Sequence, residues 1–406
     1  MQRLIAGYKE KTQLRDGGEI PVLNGVRALM VFFVAAFHIW QQSWMTPSIN
    51  LFGHIISLDP LLRSGYMWVD GMLLLSGFLC YLPYAWAREA GRPGPSVIPF
   101  YQKRFIRIVP TYLLNILLIL LIVVLPQRLY ASAGDAAKDV LAHATFTHTL
   151  FYFSYYGSPI NGALWTLGVE AQFYLLFPLL ARAFYKMPLA TYLGMTGTAL
   201  LFRVWAGGFD NVDMYFNQLP AFLDVYATGF VAASVYVSLR KRMKEDAWTR
   251  VLMSVCALAA VFVLAMLVRA QASASSTRLL RQAQMDQRFL FTWMIALCML
   301  GLSLGLGGLR LLFGNPVTRF LSQVSFQFYM WHQVFAVQLR RFGIPYSSSP
   351  NPNQQSDVVW QRQYVWLCFL GALALSSLIT YGIEQPLVRR FSPAQIHTRR
   401  VKEKKA

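Results

Sequence analysis

Long apolar runs alternate with short polar and basic connections along almost the whole chain. A run of about 20 apolar residues is what a helix needs to cross the hydrocarbon of a bilayer. Ten such runs are predicted, near 22–44, 66–86, 106–126, 163–185, 189–206, 217–239, 249–269, 289–308, 317–339 and 364–384. Only helices or closed barrels satisfy backbone polar groups inside lipid, and the run lengths select helices. The expected fold is therefore all-α, a polytopic membrane bundle of ten transmembrane helices. The stretch 140–156, VLAHATFTHTLFYFSYY, is aromatic but interrupted by His143 and His148, and is expected to be an interfacial helix.

Ten spans place both termini on one side. Of the 37 Lys and Arg, 25 lie in segments on the terminal side and 11 on the opposite side, with Arg27 inside the first span. The excess of bases marks the cytoplasmic face, so both termini are expected there. One segment, 269–288 with Arg269, Arg278, Arg281 and Arg288, runs against the bias. The first run is long and contains Arg27, so it reads as a retained signal anchor. The connections 127–162 and 343–363 are long and polar, each either an acceptor-binding loop or a solvated linker, with the linker the default for the second.

Composition then narrows the chemistry. Charged residues make up 14% of the chain and hydrophobic ones 56%, far from a soluble domain. A net charge of +19 raises nucleic-acid binding, but the bases sit in loops between spans and carry no interleaved aromatics, which argues against it. Cys80, Cys256, Cys298 and Cys368 lie in apolar runs without paired spacing, so neither a disulfide framework nor a zinc site is expected. His143 and His148, five apart with no third ligand nearby, do not read as a metal site either. Gly194, Gly197, Gly305, Gly307 and Gly308 are expected to be helix-packing notches.

Ionisable residues inside spans are costly and usually face the bundle interior. In the first span Arg27 precedes His38 by eleven residues, about three turns and 16 Å, so both lie on nearly one face. A lone histidine there is either a hydrogen-bonded structural group or a base. Asp70 falls just inside the second span, at a depth His38 could share, and either orients that imidazole, caps the helix or pairs with Arg63. Arg104 and Arg107, at i and i+3, face one way and suit either phosphate binding or anchoring at the surface. Glu170 and Tyr174 share a face of the fourth span, and Ser325, Tyr329 and His332 a face of the ninth. Glu384, near the end of the tenth, is expected to partner an arginine. By depth, Arg27, Arg104, Arg107 and Glu384 lie toward the cytoplasm, and His38, Asp70, Glu170 and His332 toward the outside. That division fits a donor carried by a phosphorylated cytosolic cofactor and an acceptor beyond the membrane. A transporter using the charges as a proton relay is the main rival, and a glycosyltransferase using a lipid-phosphate sugar the second.

Taken in order, Arg27 and His38, the VDGMLLLSGFL run, Arg104 and Arg107 followed by Pro110, LWTLGVEAQFYLLFP, SFQFYMWHQ and the final Glu384-Gln-Pro386 resemble the membrane acyltransferase family 3, bacterial O-acyltransferases that decorate surface polysaccharides. The resemblance runs from about residue 22 to 386. It divides the chain into a cytoplasmic segment 1–21, an acyltransferase domain 22–386 and a basic tail 387–406, whose RRVKEKK run is expected to meet anionic lipid heads. Gly71 and Met72 stand where the family carries an aromatic-rich stretch, and Asn24 where Asp is common.

The resemblance implies a bacterial inner-membrane enzyme that moves an acyl group, expected to be acetyl, from cytosolic acyl-CoA to a hydroxyl of an extracytoplasmic or lipid-linked saccharide. No permanently bound cofactor or metal is implied. Arg27, Arg104 and Arg107 would form the donor-binding set. His38 would deprotonate the acceptor or carry the acyl group, oriented by Asp70 or Glu170. Tyr329 and His332 would place the sugar or stabilise the oxyanion, with Tyr174 and Ser325 also facing substrate. The hydrolase-like domain that some members carry after the bundle has no counterpart in these 406 residues, so transfer is expected to be completed by the bundle itself or by a separate partner.

Overall fold

The computed structural model of the chain describes residues 19–391 apart from 210, 244, 245 and 356. The expected cytoplasmic segment 1–21 and the basic tail therefore fall almost wholly outside the described residues. Ten long helices occur where ten spans were expected: α1 Val22–Ser43, α2 Trp68–Glu89, α3 Val97–Ile119, α4 Trp165–Lys186, α5 Pro188–Gly207, α6 Leu223–Arg242, α7 Ala247–Ala272, α8 Thr277–Leu304, α9 Pro316–Arg341 and α10 Val358–Ile379. Thr380–Glu384 continues α10 as a π-helical turn. The bundle is all-α apart from a hairpin, β1 Ser48–Leu51 with β2 His54–Ser57, whose eight residues are exposed.

Eight helical stretches are long and apolar enough to cross a membrane by length and composition. α5 and α9 are not among them, two fewer than the ten read from the sequence. Both carry polar side chains that the bundle buries, Arg203 on α5 and Ser322, Ser325, Gln327 and His332 on α9. Such groups lower the mean hydropathy while facing other helices instead of lipid. α8 begins twelve residues before the expected 289, because Ser276 accepts from the Leu279 amide and caps a polar but helical first third.

Contacts fix the alternation of the helices. At one end Gln361, starting α10, donates to the Ser43 carbonyl that ends α1, and Ser64, before α2, donates to the Val268 carbonyl of α7. At the other, Gln327 of α9 donates to Glu384, Arg242 of α6 approaches Glu89 of α2, and Tyr185 of α4 donates to Arg92. Pro21 and Glu384 thus belong to the same end of the bundle.

Close crossings need glycine where two backbones meet. A methyl on Gly229 of α6 would stand 2.5 Å from the Leu74 carbonyl oxygen, and one on Gly77 of α2 would stand 2.9 Å from that of Tyr226. Gly305 also meets neighbours, at 2.6 Å, but Gly194, Gly197, Gly307 and Gly308 face open space and are not notches. Their spacing resembled a packing motif; only three-dimensional neighbours decide which glycines are crossed.

Two of the four arginines of 269–288 are paired with carboxylates. Arg288 is fully buried and donates to Asp70 at 3.2 Å, while Arg281 meets Asp213 at 2.6 Å. Arg203 of α5 is paired with Asp224 of α6 in the same layer.

The interfacial helix expected over 140–156 is instead broken. Ala133–Ala144 ends at a turn where Phe146 takes φ 57°, followed by short helical turns at His148–Leu150 and Tyr152–Tyr155. His143 and His148 are buried and stacked at 4.3 Å; His143 lies 3.0 Å from the Asp139 carboxylate and His148 donates to the Leu164 carbonyl. The connection 343–363 is also tied down: Gln361 reaches the Asn353 carbonyl, Arg340 donates to Asn353 and Trp360 to the Pro345 carbonyl.

Candidate active site

Helical spacing turns Arg27 of α1, Arg104 and Arg107 of α3, Glu170 and Tyr174 of α4, and Ser325 and Tyr329 of α9 toward one interior space. They line a cavity of about 110 Å³ with apolar walls from Val31, Val69, Met72, Leu73, Leu167 and Phe326. Seven of the ten residues given a role in binding or catalysis therefore converge. Ser76 and Thr166 join them and were not recognised in the sequence. A serine in LLLSGFL shows no role until its neighbour across the bundle is known.

The polar groups of this space form an ordered set. Glu170 accepts from Ser76 Oγ at 2.6 Å and from the Tyr174 hydroxyl one turn below. Ser76 and Tyr174 lie 2.9 Å apart. Arg104 donates to the Tyr174 hydroxyl at 3.3 Å and to Cys80 Sγ at 3.1 Å, and its guanidinium stands 4.8 Å from the Tyr174 ring centre. Cys80 is thus a partner of a site arginine as well as a buried thiol. Arg27 and Arg107 have no hydrogen-bonded or ion-paired side chain among the described residues. Three guanidiniums face one carboxylate, leaving an excess of positive charge in a low-dielectric space, which suits an anion.

A second cavity, about 420 Å³, shares Leu79, Arg104 and Arg107 with the first. It opens between the end of α2 and the start of α3, at the end of the bundle where Pro21 and Glu384 lie. Tyr84, Phe100, Lys103 and Ser96 complete its wall. Its volume falls in the usual range for small-ligand sites. Together the two spaces lead from the terminal end of the bundle toward its centre.

His38 does not line either space. Its Nδ1 lies 2.7 Å from Nε2 of His332, with ring centres 5.0 Å apart. His332 is fully buried, and its Nδ1 lies 3.0 Å from the Phe328 carbonyl one turn back. The arginine cavity ends at Val31 on α1 and Tyr329 on α9. The Tyr329 ring lies 5.7 Å from that of His332, and its hydroxyl accepts from Thr166 at 2.9 Å. Tyr329 therefore lines the cavity and lies beside the His332 ring.

Three sequence expectations are corrected here. Asp70 does not orient His38; it is held by Arg288, and Arg63 is taken by Asp59 at 3.5 Å. Glu170 does not orient it either, being engaged by Ser76 and Tyr174. Glu384 accepts from Gln327 at 2.7 Å and has no arginine within ion-pair distance among the described residues. Glu170, expected at the depth of His38, instead shares the cavity of Arg27, Arg104 and Arg107. Neither its depth nor the azimuth between spans was legible, and the partner of His38 lies on α9 and is not a carboxylate. Ser325 lines the cavity while its hydroxyl bonds back to the Ser322 carbonyl at 2.8 Å.

A family model described as an acyltransferase domain matches residues 20–382. Over 198 residues the chain is 28% identical to the peptidoglycan O-acetyltransferase OatA of Listeria monocytogenes, covering 46% of this chain and 28% of that protein. It is 24% identical to the O-acetyltransferase OatA of Staphylococcus aureus, over 42% of the chain and 26% of the relative. A putative peptidoglycan O-acetyltransferase, YrhL of Bacillus subtilis, is 29% identical over 39% of the chain and 23% of its own length. The matched part spans about a quarter of each of these curated relatives. No solved structure gives a significant match.

Proposed function

The chain belongs to the family of this acyltransferase domain, and on that premise we propose that it moves an acyl group, acetyl in the first instance, from acyl-CoA to a hydroxyl of a saccharide at the opposite membrane face. The observation that carries the proposal is the shared cavity of Arg27, Arg104 and Arg107, in which two guanidiniums lack a protein partner. Arg27 and Arg107 are half-buried, and guanidiniums without a protein partner inside such a bundle favour an anionic ligand. The phosphates of coenzyme A meet that need, and the adjoining space beside Tyr84, Phe100 and Lys103 offers room for the nucleotide. The donor enters from the end bearing the termini, assigned to the cytoplasm by its basic residues.

His38 then removes the proton of the acceptor hydroxyl, or carries the acyl group between donor and acceptor. Reaching it from the cavity requires Tyr329 to swing or the two helices beside it to part. The acceptor reading, a glycan that is extracytoplasmic or lipid-linked, is supported by relatives named as peptidoglycan O-acetyltransferases. A proton-relay transporter is less well supported, because Asp70 and Asp224 are each committed to an arginine.

Mass spectrometry of surface glycans from cells with and without the gene tests the proposal. Loss of an ester from the glycan identifies acyl group and sugar together. An unchanged glycan, with labelled acetyl-CoA left unconsumed by the purified protein, would remove the enzymatic reading.

A further inference from the structure

The Phe328 carbonyl oxygen can only accept, so the ring nitrogen of His332 that lies 3.0 Å from it, Nδ1, carries a hydrogen. His332 is fully buried and touches no carboxylate among the described residues, and an uncompensated cation in such a place is costly, so the ring is neutral. Its Nε2 is then a bare acceptor. The nitrogen 2.7 Å away, His38 Nδ1, must be the donor. A neutral His38 protonated at Nδ1 has its lone pair on Nε2.

From this we infer that His332 is a positioning residue that fixes His38 in the Nδ1–H form, making Nε2 the one atom that reacts. The inference rests on the proposed acyl transfer for its chemical meaning, although the proton arrangement stands without it. His332 fills the place that a carboxylate holds in other imidazole bases, and a neutral acceptor is the form that a span can bury without a counter-charge.

The step balances as follows. The acceptor oxygen loses its proton to His38 Nε2 and bonds to the acyl carbon; the carbon–sulfur bond breaks, and the coenzyme thiolate takes that proton. While His38 holds two protons, the positive charge is shared with His332 through the Nδ1–H···Nε2 bond, which supplies the stabilisation a carboxylate would give. The chain Phe328 carbonyl, His332, His38 thus has one open end, and the acceptor must approach there.

Two measurements test this on the full-length protein in nanodiscs. Nitrogen-15 spectra of histidine-labelled protein, with His38 assigned by its loss in His38→Ala, should show Nδ1 protonated and Nε2 bare. A His38 spectrum with Nε2 protonated would overturn the inference, whatever the enzyme does. In transfer from acetyl-CoA to a chito-oligosaccharide as probe acceptor, His332→Phe should lower kcat by roughly 100-fold or more with acetyl-CoA affinity unchanged. His332→Gln, whose amide oxygen can accept from Nδ1–H, should recover to within about tenfold of the parent. Equal losses in the two variants, with both folded, would overturn it. A correct spectrum with no transfer in the parent protein would leave the proton arrangement standing and count against the proposed function alone.

Discussion

Arg288 of α8 donates to Asp70 of α2 at 3.2 Å, and neither side chain reaches water or lipid. The same guanidinium also donates to the Phe216 and Ala221 carbonyls and lies 4.1 Å from the Phe222 ring centre. Asp70 therefore joins α2 to α8 and to the loop before α6. Removing one partner of a buried pair strands the other, at a cost of about 3–5 kcal/mol. Asp70→Leu should lower the melting temperature and the activity together. Asp70→Leu combined with Arg288→Met should restore much of both, because no charge is left stranded. A stable double variant that remains inactive would instead give Asp70 a direct part in the chemistry.

The crossing of α2 and α6 is held by Gly77 and Gly229, where a side chain would collide with a carbonyl. Gly229→Ala should destabilise the protein by about 1–3 kcal/mol, the usual cost of overpacking. Gly194→Ala, at a position facing open space, should change stability little. Thermal denaturation in one detergent compares the two; equal effects would contradict the assignment of the crossing.

The unpartnered guanidiniums make a claim about binding. A charge-assisted hydrogen bond is worth about 1.5–3 kcal/mol, so Arg27→Gln and Arg107→Gln should each weaken acetyl-CoA binding by roughly 10- to 100-fold. Dephospho-coenzyme A should bind less tightly to the parent protein and lose less on substitution if the 3′-phosphate is among the groups held. Calorimetric titration of each variant checks this, and unchanged affinities would move the donor elsewhere.

His148 lies in the connection before α4, stacked on His143 and against Gly168. Burial, reinforced by the neighbouring His143, pushes its imidazole down to about 3. The unfolded chain takes up a proton near 6.5, so stability from the neutral ring is complete above that value and drains as pH falls toward 3. The melting temperature should therefore fall between pH 7 and pH 4, and His148→Gln should fall less steeply across that window. Parallel curves would show that the ring contributes nothing to the pH dependence.

Much of this arrangement was legible in the sequence because helix periodicity fixes which residues share a face. Glu170 with Tyr174 and Ser325 with Tyr329 needed only spacing to be grouped, and all four meet at the cavity. The partner of an intramembrane charge was not legible. Asp70 could have served His38, Arg63 or the helix start, and it chose Arg288, a residue counted with an outer loop. The hydropathy rule cut α8 short for the same reason, since it scores a paired, buried arginine as though it faced lipid. The His38–His332 contact joins residues 294 apart in sequence, and no local pattern reports such a distance.

In the proposed reaction donor binding and chemistry are separated, with the arginines holding acyl-CoA and His38 acting on the far side of Tyr329. Purified His38→Ala in nanodiscs, titrated with acetyl-CoA and then assayed for transfer of labelled acetyl to saccharide, examines both halves at once. The expected result is parent-like affinity with transfer lost by about 100-fold or more. Transfer near the parent rate would contradict the account.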